Sequence, residues 1–257
     1  MIRLLTALVL IPLVVWLVLF APEWAFEGAV AIIALLAYWE FDHIVAENGT
    51  ARAGFFGLAA GLALLFAPQP LVVIVLIALA GMLGALRLPD LAGALPAAAA
   101  FLLGAIYIFG SFRCGFALRA LDRHWLMFAL LLSWAGDTAA LYIGKTFGRH
   151  RLAPIVSPAK TWEGAAGSVA GALIAGIAYA HYLIPAAPIA FVIAVAVLGN
   201  VAGQLGDLCE SAFKRGAGVK DSGTSLPGHG GWLDRIDSSL FSMPVVYALL
   251  LAFAGRY

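Results

Sequence analysis

Apolar residues run along this chain in long, nearly unbroken stretches, at about 4–20, 25–46, 53–67, 71–87, 92–112, 125–144, 164–184, 187–209 and 238–255. The polar positions between them are few. Stretches of this length, apolar on every face, read as helices surrounded by protein or lipid, and a spanning helix needs about 20 such residues. The pattern predicts an all-α polytopic membrane protein of about nine transmembrane helices, with no separate soluble domain. The runs at 53–67 and 71–87 are short and rich in glycine or flanked by proline, so their limits are the softest. The first run has the outline of a signal peptide, with Arg3 ahead of it and Ala21-Pro22 behind. Eight further apolar runs make a retained span the better reading.

Composition agrees. Of 257 residues 63% are hydrophobic and 11% charged, against about 45–50% and about 25% in soluble domains. The balance of 15 Lys and Arg against 14 Asp and Glu leaves a net charge of +1, which excludes a nucleic-acid binder. With the N-terminus in the cytoplasm, eleven basic residues fall on the cytoplasmic side and four on the other, matching the positive-inside bias. Arg113, Arg119 and Arg123 sit on the wrong side of this arrangement. They predict an interfacial amphipathic helix at 113–124, or a span count off by one. Cys114 and Cys209 have no metal-ligand spacing. Gly57-Leu-Ala-Ala-Gly61 and Gly167-Ser-Val-Ala-Gly171 place small residues four apart, which permits close helix packing and is compatible with a homodimer. The chain is expected to form one integral membrane domain over 1–257, with 1–124 as a lipid-facing scaffold and 125–257 as the catalytic half.

The few charges are unevenly placed. Residues 207–237 carry nine of them in 31 positions: Asp207, Glu210, Lys214, Arg215, Lys220, Asp221, Asp234, Arg235 and Asp237. Asp207 and Glu210 lie at the end of an apolar run, where ionisable groups are costly unless paired, hydrated or bound to a cation. If that helix continues through Lys214, then Asp207, Glu210, Ser211 and Lys214 share a face. Gly216 and Gly218 break it, and the glycines from Gly223 to Gly231 with Pro227 read as an irregular loop. Asp234 and Asp237, three apart, precede the last run. Carboxylates on two helix ends can hold a divalent cation through oxygen, as Mg²⁺ prefers. Basic side chains between them suit phosphate oxygens, and the amides of His229, Gly230 and Gly231 lie where a phosphate can approach backbone. That combination points to phosphoryl or nucleotidyl transfer.

A second group supports this chemistry. Asp137 lies inside the sixth run, in Trp134-Ala-Gly-Asp-Thr138, and an intramembrane Asp is a functional candidate by default. The next loop holds Lys145, Arg149 and Arg151, then Ser157-Pro-Ala-Lys160-Thr161-Trp-Glu163-Gly164. Thr161 is placed to cap the following helix with Glu163 in its first turn. Lys160 has no capping role and is a candidate phosphate contact. His229 is assigned to phosphate binding or loop geometry rather than proton transfer, because a phosphate nucleophile is already ionised.

Ser211-Ala-Phe-Lys-Arg215, then Lys220-Asp221, then Leu226-Pro-Gly-His-Gly-Gly-Trp-Leu-Asp-Arg-Ile-Asp237 resembles the signature of the phosphatidate cytidylyltransferase family, also called CDP-diacylglycerol synthases. The blocks at Asp137-Thr138 and Ser157–Gly164 resemble two further family segments in the expected order. Trp232 and Ala159 depart from the usual residues without removing a candidate ligand. The resemblance implies a multi-pass enzyme of phospholipid biosynthesis that joins CTP to phosphatidic acid, releasing pyrophosphate and CDP-diacylglycerol. It implies Asp207 and Asp234 as ligands of the catalytic Mg²⁺, with Asp221 and Asp237 at a second cation or orienting the first. Lys214, Arg215, Lys220, Arg235, Lys160 and Ser157 would face CTP or phosphatidate phosphates, with Ser211, Thr161, Gly230 and Gly231 beside them. Asp137, Glu163 and Glu210 complete the candidate site, placed on the cytoplasmic side of the cell membrane. Rival readings are a CTP transferase or kinase for another lipid phosphate or lipid alcohol, and a transporter of an anionic substrate.

Overall fold

The computed structural model describes residues 2–225 and 230–253, with side chains from residue 8 onward. Almost all of it is helical: α1 (Ile2–Leu19), α2 (Glu23–Glu47), α3 (Gly54–Phe66), α4 (Pro70–Ala85), α5 (Ala94–Gly104), α6 (Ser111–Leu121), α7 (Arg123–Phe147), α8 (Trp162–Leu183), α9 (Ile189–Gly216) and α10 (Leu233–Phe253). A π-helical turn at Ala105–Gly110 joins α5 to α6. The one departure from helix among the described elements is a hairpin of β1 (Arg151–Ala153) and β2 (Ser157–Thr161), antiparallel with Arg151 opposite Thr161.

Every apolar run lies on helix, but not every run is long enough to span. Among the described residues six helices are long and apolar enough to cross a membrane: Glu23–Glu47, Leu91–Leu121, Arg123–Phe147, Trp162–Leu183, Ile189–Gly216 and Leu233–Phe253. The protein is thus polytopic, with six such helices where nine were expected. The other three are the shorter apolar helices Leu8–Leu19, Gly54–Phe66 and Pro70–Ala85. At a rise of about 1.5 Å per residue, the 13 residues of α3 reach only about 20 Å of a core about 30 Å thick. The sequence Ala67-Pro-Gln-Pro70 sets this limit. Pro68 stops α3, and Pro70 opens α4, where its missing N–H costs nothing.

The stretch 113–124, expected as an interfacial helix or as the sign of a miscounted span, does not form a separate helix with those limits. Arg113 and Arg119 belong to α6, the far end of the Leu91–Leu121 helix. Arg119 donates to the Val18 and Ala21 carbonyls (2.9 and 2.5 Å), Arg123 to Leu19 (2.5 Å) and Arg113 to Leu65 (2.9 Å). These carbonyls end α1 and α3. The arginines therefore act as helix C-caps, favoured by the negative end of the dipole.

The backbone groups into two units. The first comprises Met1–Leu10, Pro22–Arg113 and Phe213–Arg235. Its core gathers Leu64, Ile77 and Ala105, with Val73, Ile74, Phe101 and Leu102 packed on them. A Cβ at Gly57 would overlap the Tyr38 hydroxyl, and one at Gly61 the Phe109 ring, so this glycine pair seats two large aromatics. Asp42 of α2 takes the amides of Ala53 and Gly54 (2.9 and 3.1 Å) and Arg52 Nε (3.0 Å), fixing the start of α3.

The second unit comprises Ile11–Ala21, Cys114–Ala212 and Ile236–Tyr257. Here α7 and α8 lie backbone to backbone. A Cβ at Gly164 would come 3.1 Å from the Ala140 carbonyl, and one at Gly171 would come 2.5 Å from Ala139 Cβ. Asp122 caps α7 by accepting from the His124 amide (2.9 Å). A polar layer joins the helices: buried Asn200 donates to the Leu132 carbonyl (3.2 Å) and Ser168 Oγ (3.1 Å), and the half-buried Gln204 to Asn200 Oδ1 (2.8 Å). Ser242 of α10 donates to the Gly199 carbonyl (2.8 Å). Such cross-helix bonds hold membrane helices together where apolar contact with lipid is equally good.

Candidate active site

Within the second unit, α7, the hairpin, the start of α8 and α9 enclose a cavity of about 310 Å³. Asp137, Lys145, Lys160, Thr161, Ser168, Gln204 and Asp207 supply its polar side chains. Local rules place several of them. Thr161 ends β2 and accepts from the Gly164 amide (3.1 Å), the cap its position predicted. Glu163, one residue into α8, accepts from the amides of Arg149 and His150 (3.1 and 3.2 Å), with His150 Nδ1 2.6 Å from its other oxygen. It therefore ties down the turn after α7. Arg151 is committed to the Pro158 carbonyl (2.5 Å).

Lys160 reaches from β2 to α9, its Nζ 2.6 Å from Asp207 Oδ2, with the two side chains 28% and 29% exposed. Ser211 donates to the other Asp207 oxygen (3.3 Å). This pair is accessible from the cavity, so an anion can compete for the lysine and a cation for the aspartate. Asp237 of α10 is buried, its Oδ1 accepting from the Ser238 amide (2.7 Å), and feels the charges of Asp207, Glu210 and Asp137. The second unit thus gathers four of the predicted carboxylates around one region. Among the described residues no three His, Cys, Asp or Glu side chains form a ready-made metal cage.

The first unit holds the rest of the signature. Lys214 Nζ lies 2.5 Å from Asp234 Oδ1, with side chains only 9% and 5% exposed. Asp234 Oδ2 accepts from the amides of Ser222 (2.9 Å) and Gly231 (2.8 Å) and sits 3.0 Å from Ser222 Oγ. The Lys214 side chain, expected at a phosphate, is buried against Asp234, and Asp234, expected at a metal, is enclosed by its own loop. Gly230 has a φ of 80°, and a Cβ there would lie 2.6 Å from Asp234 Oδ2, so this glycine is required by the aspartate as well as by the turn. Arg215 donates to the Val219 carbonyl (3.0 Å), while Lys220, Asp221 and Arg235 are exposed. Ser157 is half-buried on β2. His229 lies outside the described residues.

Sequence reasoning missed three participants. Gln204 and Asn200 continue the polar face of α9 backwards from Asp207, at the same helical spacing that links Asp207, Ser211 and Lys214. That extension was legible. Glu40 of α2 takes four hydrogen bonds from the signature loop; as an acid inside an apolar run it carried the same local signal as Asp137, but its partners lie far along the chain.

A sequence model of the cytidylyltransferase family matches residues 1–253. The phosphatidate cytidylyltransferase of Bacillus subtilis (strain 168) is 43% identical over 157 residues, covering 59% of this chain and 58% of that protein. Those of Staphylococcus haemolyticus (strain JCSC1435) and Staphylococcus aureus (strain COL) are 41% and 40% identical over 154 residues, covering 60% of this chain and 59% of each relative. The chain thus matches somewhat under two thirds of these relatives' length. The match to the family runs from the first apolar helix into the last, through the cavity of the second unit and the loop of the first: the chain belongs to the cytidylyltransferase family.

Proposed function

We propose that this chain transfers the cytidylyl group of CTP to phosphatidic acid, giving CDP-diacylglycerol and pyrophosphate, at the cytoplasmic face of the cell membrane. The observation that carries this reading is the accessible Lys160–Asp207 pair on a cavity flanked by further carboxylates, in a chain of this family. The lipid phosphate oxygen attacks the α-phosphorus of CTP. The bond from that phosphorus to the bridging oxygen breaks, and pyrophosphate leaves with the electron pair. No nucleophilic side chain is needed. Lys160 and Lys145 of the cavity, with Ser157 at the start of β2, are assigned to phosphate oxygens, as are Arg215, Lys220 and Arg235 of the signature.

The donor set fits Mg²⁺. Asp207, Glu210 and Asp137 all bear electrostatically on the buried Asp237, and hard carboxylate oxygens are the ligands this ion takes. Mg²⁺ is commonly held by one or two carboxylates plus substrate phosphates, so a complete protein cage is unnecessary. We assign Asp207 and Asp237 to it, with Asp221 at a second cation. A ligand role for Asp234 requires that it release Lys214. When bound, the ion neutralises charge building on the phosphates.

A lipid substrate has support in the first unit. An apolar groove of about 570 Å³ is lined by Phe56, Ala60, Leu83 and Phe101, with Arg52 and Arg87 among its lining. Acyl chains beneath an anionic head suit those walls. Residues 125–257 are read as the catalytic half and the earlier spans as the lipid-facing part.

The test is incorporation of labelled CTP into lipid by the purified protein with Mg²⁺ and phosphatidic acid, beside other lipid phosphates and lipid alcohols. Label in CDP-diacylglycerol with release of pyrophosphate is expected. Faster use of a lipid alcohol, or no CTP turnover, overturns the reading.

A further inference from the structure

We infer that Glu40, in α2 and 182 residues before its first loop partner, is the positioning residue that holds the signature loop in its working form. The inference rests on the proposed cytidylyl transfer for its kinetic consequence, but not for its geometry. Glu40 is 5% exposed in an apolar helix. A carboxylate in such a place is tolerated when donors surround it. Its Oε1 accepts from Ser225 Oγ (2.9 Å) and the Trp232 amide (3.1 Å), and its Oε2 from Ser222 Oγ (2.9 Å) and the Leu233 amide (2.9 Å).

The four donors lie on both arms of the signature, two at 222 and 225 and two at 232 and 233. One side chain therefore fixes the loop's width and carries it against α2. The Ser222 hydroxyl also sits 3.0 Å from Asp234 Oδ2, which links Glu40 to the Asp234–Lys214 pair. The small residues of the loop fit this arrangement. A Cβ on Gly223 would lie 2.7 Å from Glu40 Oε1, and one on Gly231 would overlap Oε2. Two glycines of the loop are thus shaped by an acid from another helix. Asp42, two residues further along, is accounted for by the start of α3. Among the described residues the hydrogen bonds of Glu40 go to Ser222, Ser225, Trp232 and Leu233, a stretch flanked by Lys220, Asp221 and Arg235.

The test is Glu40→Gln in the full-length protein, which keeps the volume but turns an N–H₂ toward groups that are themselves donors. Amide exchange at Trp232 and Leu233 is expected to accelerate while the rest of α2 and α3 stays protected. The kcat/KM for CTP should fall about 10–100-fold, the usual loss when an outer-shell partner is removed, with the KM for phosphatidic acid unchanged. Ser225→Ala, at an exposed position, should give a smaller loss in the same direction and carries the test if E40Q does not fold. Unchanged exchange at the two amides overturns the assignment. So does exchange that rises equally through α2 and α3, since that is a purely structural acid. If the wild type turns over no CTP, the proposed function fails and the exchange result still decides Glu40.

Discussion

Replacing Asp234 with Asn separates holding the loop from binding a metal. The change preserves shape and removes the charge that faces Lys214 Nζ at 2.5 Å, where the two side chains are 9% and 5% exposed. It also sets an amide among donors, since Asp234 Oδ2 accepts from the Ser222 and Gly231 amides. Leaving a buried partner uncompensated costs about 3–5 kcal/mol. Asn keeps one acceptor oxygen, so the lower end applies, about 3 kcal/mol and roughly a hundredfold more frequent opening of the loop. Amide exchange at Ser222 and Gly231 reads that opening, and labelled-CTP incorporation reads turnover. Exchange is expected to rise about a hundredfold, with turnover lost and not restored by added Mg²⁺. Recovery at high Mg²⁺ would show a ligand role instead. Exchange and activity both near wild type would refute the reasoning, and a Lys214→Met, Asp234→Leu double variant closer to wild-type stability than either single change would support it.

Other expectations follow from the same geometry. Lys160→Met should cut turnover by about 10²–10³-fold, the loss typical of one preorganised phosphate-facing charge; its melting temperature should barely move, because the pair with Asp207 is part-exposed and worth under about 1 kcal/mol. Gly171→Val should destabilise by about 1–3 kcal/mol through overpacking against Ala139, while Gly84→Ala, with nothing within 4 Å, should be near neutral; thermal unfolding in detergent compares them. Leu83→Trp, which fills the groove of the first unit, should raise the KM for phosphatidic acid and leave that for CTP alone.

Much of this protein was written locally. The apolar runs determined helix and membrane, because a helix that faces lipid must be apolar for its own length. Thr161 as a cap and the clustering of charge at the end of α9 were equally local, and the spacing of Asp207, Ser211 and Lys214 already marked a face. Two features needed finer local reading: Pro68 and Pro70 shorten α3 and α4, and the polar face reaches back to Asn200. Other features lay outside any window of sequence. The hairpin at 151–161 lacks alternation, and Arg119 meets the end of α1 across 101 positions. Lys160 found Asp207 across 47 positions, and Glu40 found the loop across 182. Periodicity records what each residue needs from its surroundings, namely apolar contact, a donor or a counter-charge. Which distant group meets that need is decided only when the helices pack.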